Sequence, residues 1–441
     1  MSSGKRVRRK KTHRERSFQK KVVGVVGMGY VGVPLAVTFG EAGHRVVGFD
    51  INEQRVGRLN AGEDVILDVP RGAVKRLRRA KRFRATTRFS AVRECDAVIF
   101  CVPTPLDEHK QPDLGPVKSA VEAVVPFLRR GQVLVLESTT FPGTTTEIIK
   151  PRIERAGWRI GRDIFLGFSP ERVDPGNPRF HTKNTPKIIS GVTAECLRRV
   201  RALYSGVVEK LVEVSRPEAA EMAKLLENIF RNVNIALVNE LMLLCDRMGL
   251  DIWEVIDAAG TKPFGFMPFY PGPGVGGHCI PIDPFYLSWK AREYDFFTDF
   301  IILSAEVNDN IPYFVVEKTV REANARLGVA IRGLRVLVIG VAFKPNIDDP
   351  RNSPAEKIIA GLGKRGARVS YHDPYVPLFR VGEKTFRSVS LASRTAREAD
   401  VVIIHTNHAG IDWREIARRA PLVIDTRNAT KGLRRRNIVR I

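Results

Sequence analysis

The chain is short of acid, of cysteine and of long apolar runs, and each shortage narrows what it does. Asp and Glu number 48 against 72 Lys and Arg, a formal net charge of +24 in 441 residues, so the partners to weigh are anions. The five cysteines, Cys95, Cys101, Cys196, Cys245 and Cys279, show neither metal-ligand spacing nor a disulfide framework. No metal site is expected, and a reducing compartment, the cytoplasm, is. Four of the five have a packing explanation: Cys95 and Cys101 bracket an apolar strand, Cys196 follows a helix start and Cys245 lies on an apolar helix face. Cys279 has none. No apolar run is long enough to span a membrane; the nearest, 235–245, is interrupted by Asn239 and Glu240. The basic start is not followed by an apolar core, so no secretory leader is expected.

The basic excess is partly local. The first 21 residues hold ten Lys or Arg against one acid, without apolar periodicity, and residues 1–20 read as a disordered tail. The rest is spread through Arg-rich faces such as 75–84, which are solvated faces of an Arg-favouring composition or a field for an anionic, phosphate-bearing substrate. No reading head, aromatic platform or metal finger accompanies the charge, so specific nucleic-acid binding is not expected. A non-catalytic nucleotide- or nucleic-acid-binding protein is the rival class, and it predicts salt-sensitive binding to duplex DNA.

The length allows about three domains. The β-branched run 21–26 feeds into Gly27-Met-Gly29-Tyr30-Val31-Gly32 and a helical pattern. Gly27 suits the tight turn, Gly29 a close approach of backbone to pyrophosphate, and Gly32 the packing of helix on strand. The next strand ends in Asp50, a carboxylate that would accept from ribose hydroxyls and repel a 2′-phosphate, favouring NAD over NADP. Arg55 is the counter-argument, because a nearby Arg can hold that phosphate. Further strands at 97–102, 133–136 and 164–168 end in Thr104, in Glu137-Ser138-Thr139 and in Ser169-Pro-Glu171. Ligands of parallel sheets bind beyond the carboxyl ends of the strands, so these side chains point at the crevice or else cap helices.

From 217 to 260 the pattern is that of a nearly continuous helix, with an apolar face through Met222, Leu225, Leu226, Ile229, Phe230 and Val233. Lys224 and Asn228 share a face, aimed at one substrate oxygen or forming an exposed polar stripe. Such a helix is also a natural dimer element. A Gly/Pro-rich loop follows, Pro271-Gly-Pro-Gly-Val-Gly276-Gly277-His278-Cys279-Ile-Pro-Ile-Asp283. The glycines leave room for a substrate carbon at the Cys279 sulfur, and Asp283 is near enough to orient a water. A helix beginning around Ile311 leads to strand 334–339 and a second strand–helix alternation without the glycine fingerprint. Its first loop offers Gly340, Lys344 and Arg351, suited to a nucleotide diphosphate. The fold class is therefore α/β: two Rossmann-like doubly wound parallel sheets joined by an all-α segment with a long helix.

With these residues named, the chain resembles the nucleotide-sugar dehydrogenase family, which includes UDP-glucose and GDP-mannose dehydrogenases. The resemblance rests on Gly27 to Pro34, Ser138-Thr139, Ser169-Pro-Glu171, Lys224 with Asn228, Gly276-Gly-His-Cys279 with Asp283, and Ala342-Phe-Lys344 through Asp348, Arg351 and Ser353. It implies an NAD-binding domain at 21–215, with Gly27, Gly29, Tyr30, Val31, Gly32, Asp50, Arg55, Thr104 and Glu137 on the cofactor. It also implies a central helical, dimerising domain at 216–310 and a UDP-sugar-binding domain at 311–441, with Gly276, Gly277, Lys344 and Arg351 on the substrate.

The chemistry implied by resemblance is four-electron oxidation of a sugar C6 alcohol to a carboxylate through a Cys279 thiohemiacetal and thioester. Lys224 and Asn228 would stabilise the oxyanion, and Asp283, Thr139 and Glu171 would position water. Two departures stand out from the UDP-glucose branch: Pro175 where a second acid is expected, with Asp174 beside it, and His278 in place of Ser. The strings around Glu137, Ser169 and Cys279 look like the UDP-N-acetylglucosamine 6-dehydrogenase branch. The expectation is a cytoplasmic homodimer or larger assembly making a surface-polysaccharide precursor, with UDP-glucose and UDP-N-acetylmannosamine as alternative substrates.

Overall fold

The computed structural model describes residues 20–66, 69–174, 176–177 and 179–441. Residues 1–19 of the expected disordered tail, and Pro175, lie outside them.

Valine-rich runs that read as hydrophobic on both faces belong in the middle of a parallel sheet covered by helices. Six such strands form the first sheet: β1 (Val22–Val26), β2 (Arg45–Phe49), β3 (Phe83–Thr86), β4 (Ala97–Phe100), β5 (Val133–Leu136) and β6 (Phe165–Phe168). Their order is β3-β2-β1-β4-β5-β6, every pairing parallel. Side chains alternate into two cores, one around Leu35, Phe39 and Ile99, the other around Phe100, Leu136 and Phe168. Cys95, Cys101 and Cys196 are buried here as packing residues. A short parallel pair unforeseen in the sequence, β7 (Lys187–Ile189) and β8 (Leu211–Glu213), follows β6.

The long helix Pro217–Met248 comes next and differs from expectation in two ways. It stops at Gly249, whose φ of +72° only glycine adopts readily, and the chain restarts as Ile252–Ala259 with Asp251 capping Trp253 N. Its inward face also includes the polar stripe. Leu225 and Ile229 are buried as predicted, but so are Glu221, Lys224, Asn228, Asn232 and Asn239, while Met222, Leu226 and Phe230 are exposed. Periodicity locates a stripe on a helix without saying which edge of it faces the core.

A second long helix, Asp299–Leu327, packs along the first. It runs straight through the position where a new helix was expected, with Pro312 buried inside it. Tertiary packing overrides the local signal: Gly274 sits against the rings of Pro312 and Pro354. Buried amides join the two helices, with Asn232 Nδ2 donating to Ser304 Oγ at 2.8 Å and Asn239 Nδ2 to Asn308 Oδ1 at 2.8 Å.

The second sheet contains β9 (Arg335–Ile339), β10 (Arg368–His372), β13 (Val401–Ile404), β14 (Leu422–Asp425) and β15 (Ile438–Arg440), in the order β10-β9-β13-β14-β15, all parallel. A hairpin of β11 (Leu378–Val381) and β12 (Lys384–Arg387) projects between β10 and β13. The fold class is as expected: two doubly wound parallel sheets with a helical segment between.

Candidate active site

The loop after β1 has the shape its three glycines require. Gly27 has φ +93°, and a Cβ there would lie 2.7 Å from the Cys101 carbonyl oxygen; at Gly32 it would lie 1.9 Å from that of Gly27. At Gly29 it would meet nothing within 4 Å, which leaves open space over the backbone where a pyrophosphate fits. Val31 is the N-cap of helix Gly32–Glu41, whose first N–H groups complete an anion cradle. Asp50, at the end of β2, accepts from Met28 N and Asn52 N, both at 2.9 Å. Arg55 pairs with Asp50 at 3.0 Å, so it is engaged by the acid it was weighed against. Beyond the end of β4, Thr104 is half-buried, and the Tyr286 hydroxyl donates to the neighbouring Pro105 carbonyl at 3.0 Å.

The central helix and the Cys279 loop meet at a buried carboxylate. Asp283 opens helix Asp283–Ala291 and is 2% exposed; Asn228 Nδ2 donates to its Oδ2. The N–H groups of Ile282 and Asp283 both return to the Cys279 carbonyl, at 3.0 and 2.9 Å, which sets the cysteine one turn before the acid. Arg231 donates to Asn228 Oδ1 from the same helix face. Lys224 is buried, and among the described residues its ammonium has no hydrogen bond or ion pair. Its charge acts on Asp283 and Cys279 without a hydrogen bond to either.

The loop after β9 docks on the residues just before Cys279. Gly277 N donates to the Arg351 carbonyl at 2.9 Å, and Asn352 Nδ2 donates to the Gly277 carbonyl at 2.9 Å. Here the expectation for the glycine pair needs correcting. A Cβ at Gly276 would fall 2.7 Å from Phe343 Cβ, and Gly277, with φ +89°, packs on the Phe343 ring. Their smallness lets two backbone segments dock rather than clearing a path to sulfur. Arg351 pairs with Asp349, approaches His278 Nδ1 at 3.1 Å and lies 4.4 Å over the Tyr30 ring. The glycine loop after β1, the Cys279 loop and the second sheet therefore converge on one guanidinium. Lys344 reaches across to Asp174 at 2.6 Å.

Three successive family models cover the chain. The NAD binding domain of the UDP-glucose/GDP-mannose dehydrogenase family matches residues 21–208, its central domain 218–310 and its UDP binding domain 337–432. The chain belongs to this family. A UDP-N-acetyl-D-glucosamine 6-dehydrogenase of Pseudomonas aeruginosa is 40% identical over 80% of this chain and 83% of its own length. One of Salmonella typhi is 36% identical over 88% and 89%. Among solved structures, a UDP-D-ManNAc dehydrogenase from Pyrococcus horikoshii superposes with a TM-score of 0.86 at 30% identity, covering 95% of this chain and 99% of that one. The protein is an NAD-dependent nucleotide-sugar dehydrogenase with a UDP-binding domain, and among the described residues no helix is long and apolar enough to cross a membrane.

Burial sets the electrostatics of this dehydrogenase. It pushes the Cys279 thiol up to about 11, with the Asp283 charge adding to the rise and Lys224, Arg231 and Arg351 opposing it. Burial likewise raises Asp283 to about 6 against Asn228, Lys224 and Arg231, and together with Arg351 it lowers His278 to about 4. His278 is thus a neutral ring in contact with Arg351. Thr139 is half-buried at the end of β5. Glu171 is fixed by Arg172 N and Val173 N, at 2.7 and 2.8 Å to its Oε1.

Glu137 departs from expectation. It is 1% exposed, with Lys187 on one oxygen and the Tyr204 hydroxyl on the other, a buried ion pair at a position expected to face the crevice. Sequence reasoning missed Lys187, Arg231 and Glu221. Glu221 accepts from Gly143 N and Thr145 N at 2.6 and 2.9 Å, tying the loop after Thr139 to the central helix. The signal for the last two was present, a charged residue every three or four positions with Lys224 and Asn228.

Proposed function

We propose that this dehydrogenase oxidises the C6 hydroxyl of UDP-N-acetylglucosamine to the uronate, providing a precursor for a surface polysaccharide. The observation that carries this reading is the group of buried Lys224, Asn228 and Asp283 with the half-buried Cys279, a cation with no hydrogen-bonded protein partner whose charge acts on a thiol and an acid. The 40% identical relative named for UDP-N-acetyl-D-glucosamine supports the choice of sugar. The 0.86 TM-score neighbour named for UDP-D-ManNAc keeps the epimer as the second reading.

NAD, when bound on Gly29, Tyr30, Val31 and Asp50, supplies the hydride acceptor for both oxidations. Lys224 and one Asn228 N–H hold the reacting O6, and their charge is worth most in a site closed to water. The thiol, kept protonated by burial, adds to the C6 aldehyde as its proton passes to Asp283, giving a thiohemiacetal; oxidation of that adduct leaves a thioester on Cys279. Thr139 and Glu171 position the hydrolytic water. The water oxygen bonds to the acyl carbon, the C–S bond breaks with its electron pair going to sulfur, and one water proton goes to Glu171 and then to Cys279. Lys344 and Arg351 hold the diphosphate.

Residues 21–215, 216–310 and 311–441 form the three functional domains. Two chains pair through the central helix, whose outer face exposes Met222, Leu226, Phe230, Leu237, Leu241, Leu244 and Met248, an apolar stripe of the kind that marks an interface. The free cysteines suit the cytoplasm.

The deciding measurement is NADH formed per UDP-N-acetylglucosamine consumed, for the unaltered enzyme and for Cys279→Ser. About two per sugar, collapsing in the variant, is expected from two sequential two-electron oxidations. Turnover of UDP-glucose or UDP-N-acetylmannosamine alone overturns the choice of sugar, and undiminished hydrolysis in Cys279→Ser overturns the thioester.

A further inference from the structure

Lys187 begins β7 and is 4% exposed. A buried ammonium is costly unless it is paired and hydrogen-bonded. Its Nζ is 3.1 Å from Glu137 Oε2, 3.3 Å from the Pro170 carbonyl and 3.7 Å from Glu171 Oε2, and it lies 5.3 Å over the Tyr204 ring. One acid would suffice to neutralise it, and Glu137, whose side chain is fully buried, already does. The second acid is different. Glu171 is 16% exposed at its side chain and stands at the rim of the site.

The lone pairs of Glu171 can be accounted for one by one. An ionised carboxylate has about four acceptor positions. The N–H groups of Arg172 and Val173 take those of Oε1, at 2.7 and 2.8 Å. Lys187 lies 3.7 Å from Oε2, an ion-pair contact too long for a hydrogen bond, so Oε2 keeps its acceptor positions for a proton from elsewhere. The ammonium, by its attraction, favours the rotamer that puts Oε2 on this side, away from the two N–H groups. Its own place is set in turn by Glu137, which Tyr204 holds through its hydroxyl.

We infer that Lys187 is a positioning residue for thioester hydrolysis, aligning Glu171 so that Oε2 takes a proton from the attacking water. This rests on the assignment of Glu171 proposed above. Binding of NAD and UDP-sugar, and formation of the thioester, do not pass through Lys187.

The test uses rapid-quench kinetics of the full-length enzyme with NAD and whichever of UDP-N-acetylglucosamine, UDP-N-acetylmannosamine and UDP-glucose it turns over. NADH is followed optically and the acyl adduct on Cys279 by intact mass. Because Lys187→Met alone strands the Glu137 charge, the principal variant is Lys187→Met with Glu137→Gln, which buries no net charge. Loss of a supporting group should slow hydrolysis by about ten- to a hundredfold. The adduct should then accumulate, with the NADH burst and both ligand affinities within about twofold of wild type. Lys187→Arg should recover most of the rate, and adding the two changes to Glu171→Gln should make that variant no slower than it is alone.

Hydrolysis at the wild-type rate in the double variant, or a slowing that multiplies with Glu171→Gln, overturns the role of Lys187. Glu171→Gln alone separates the two levels. If it hydrolyses normally, the assignment of Glu171 falls and that of Lys187 with it; if it is slow while the Lys187 variants are normal, only the latter falls.

Discussion

The two parallel sheets share a frame and differ in what fills it. In each, a glycine with positive φ follows the first strand, Gly27 at +93° and Gly340 at +82°, and donates its N–H to the last carbonyl of the second strand, Phe49 at 2.8 Å and His372 at 2.7 Å. Each second strand then ends in an acid that accepts from the turn, Asp50 from Met28 N and Asp373 from Val341 N and Ala342 N. Beyond that point they part. Over the first turn there is open space at Gly29, and Asp50 meets, among the described residues, Asn52 N and the half-exposed Arg55 besides Met28 N. In the second, Asp373 is sealed by His408 at 3.1 Å and by the N–H groups of Tyr375 and Val376. A dinucleotide site is the frame left open. Plugged, the same frame becomes a rigid mount that presents Lys344 and Arg351.

This comparison is broken most severely at the plugged acid. Asp373→Ala would leave four buried donors and the part-buried Tyr375 N–H without their acceptor and should destabilise the protein by about 3–5 kcal/mol, read as a lower urea midpoint. A loss no larger than that of a surface substitution would mean the second sheet does not depend on its plug. The matching change in the open frame should act on ligand instead. Asp50→Ala removes the acceptor for ribose hydroxyls, and at about 1.5–3 kcal/mol per charged hydrogen bond the KM for NAD should rise roughly tenfold to a hundredfold. The urea midpoint should move far less than for Asp373→Ala, because Arg55 can turn to water. An unchanged KM would show that the open space over Gly29 is not where the adenosine half sits.

Much of this was legible before folding, because glycine turns, strand ends and the Lys–Asn spacing carry their own geometry. Gly27 and Gly32 could be read off with their parts in the turn, and Asp50 with its place at the strand end. What could not be read was long-range partnership. Glu137 stands at a strand end like a cofactor contact, yet Lys187 and Tyr204, 50 and 67 positions later, claim its oxygens. Gly276 and Gly277 announce closeness of backbone to something, and only the fold shows Phe343 and Arg351 to be that something. The helix stripe hid its direction for a related reason: the buried edge carries Glu221, Lys224, Asn228, Asn232 and Asn239, and Met222, Leu226 and Phe230 face out.

The smallest expected effect sharpens the contrast between a carboxylate that serves the frame and one that serves the site. Burial acts on Asp373, but His408 and the N–H groups of Val341 and Ala342 overcome it and hold the acid down to about 2. Its stabilisation is complete above the ordinary aspartate range and is lost as pH falls toward 2. Asp283 has the opposite sign. Burial raises it to about 6 from 3.8, so its charge costs the fold nothing below about pH 4 and progressively more up to about pH 6. Asp283→Asn keeps an acceptor for Asn228 while removing that charge. Its stability relative to wild type should therefore rise between pH 4 and pH 7, by less than burial alone would give because Lys224 and Arg231 lose a neighbouring anion. Denaturant midpoints of the two proteins at those pH values measure the difference. A variant that loses ground as pH rises would make Asp283 a structural partner for Lys224, and the distinction between frame and site would fail at the acid where it matters most.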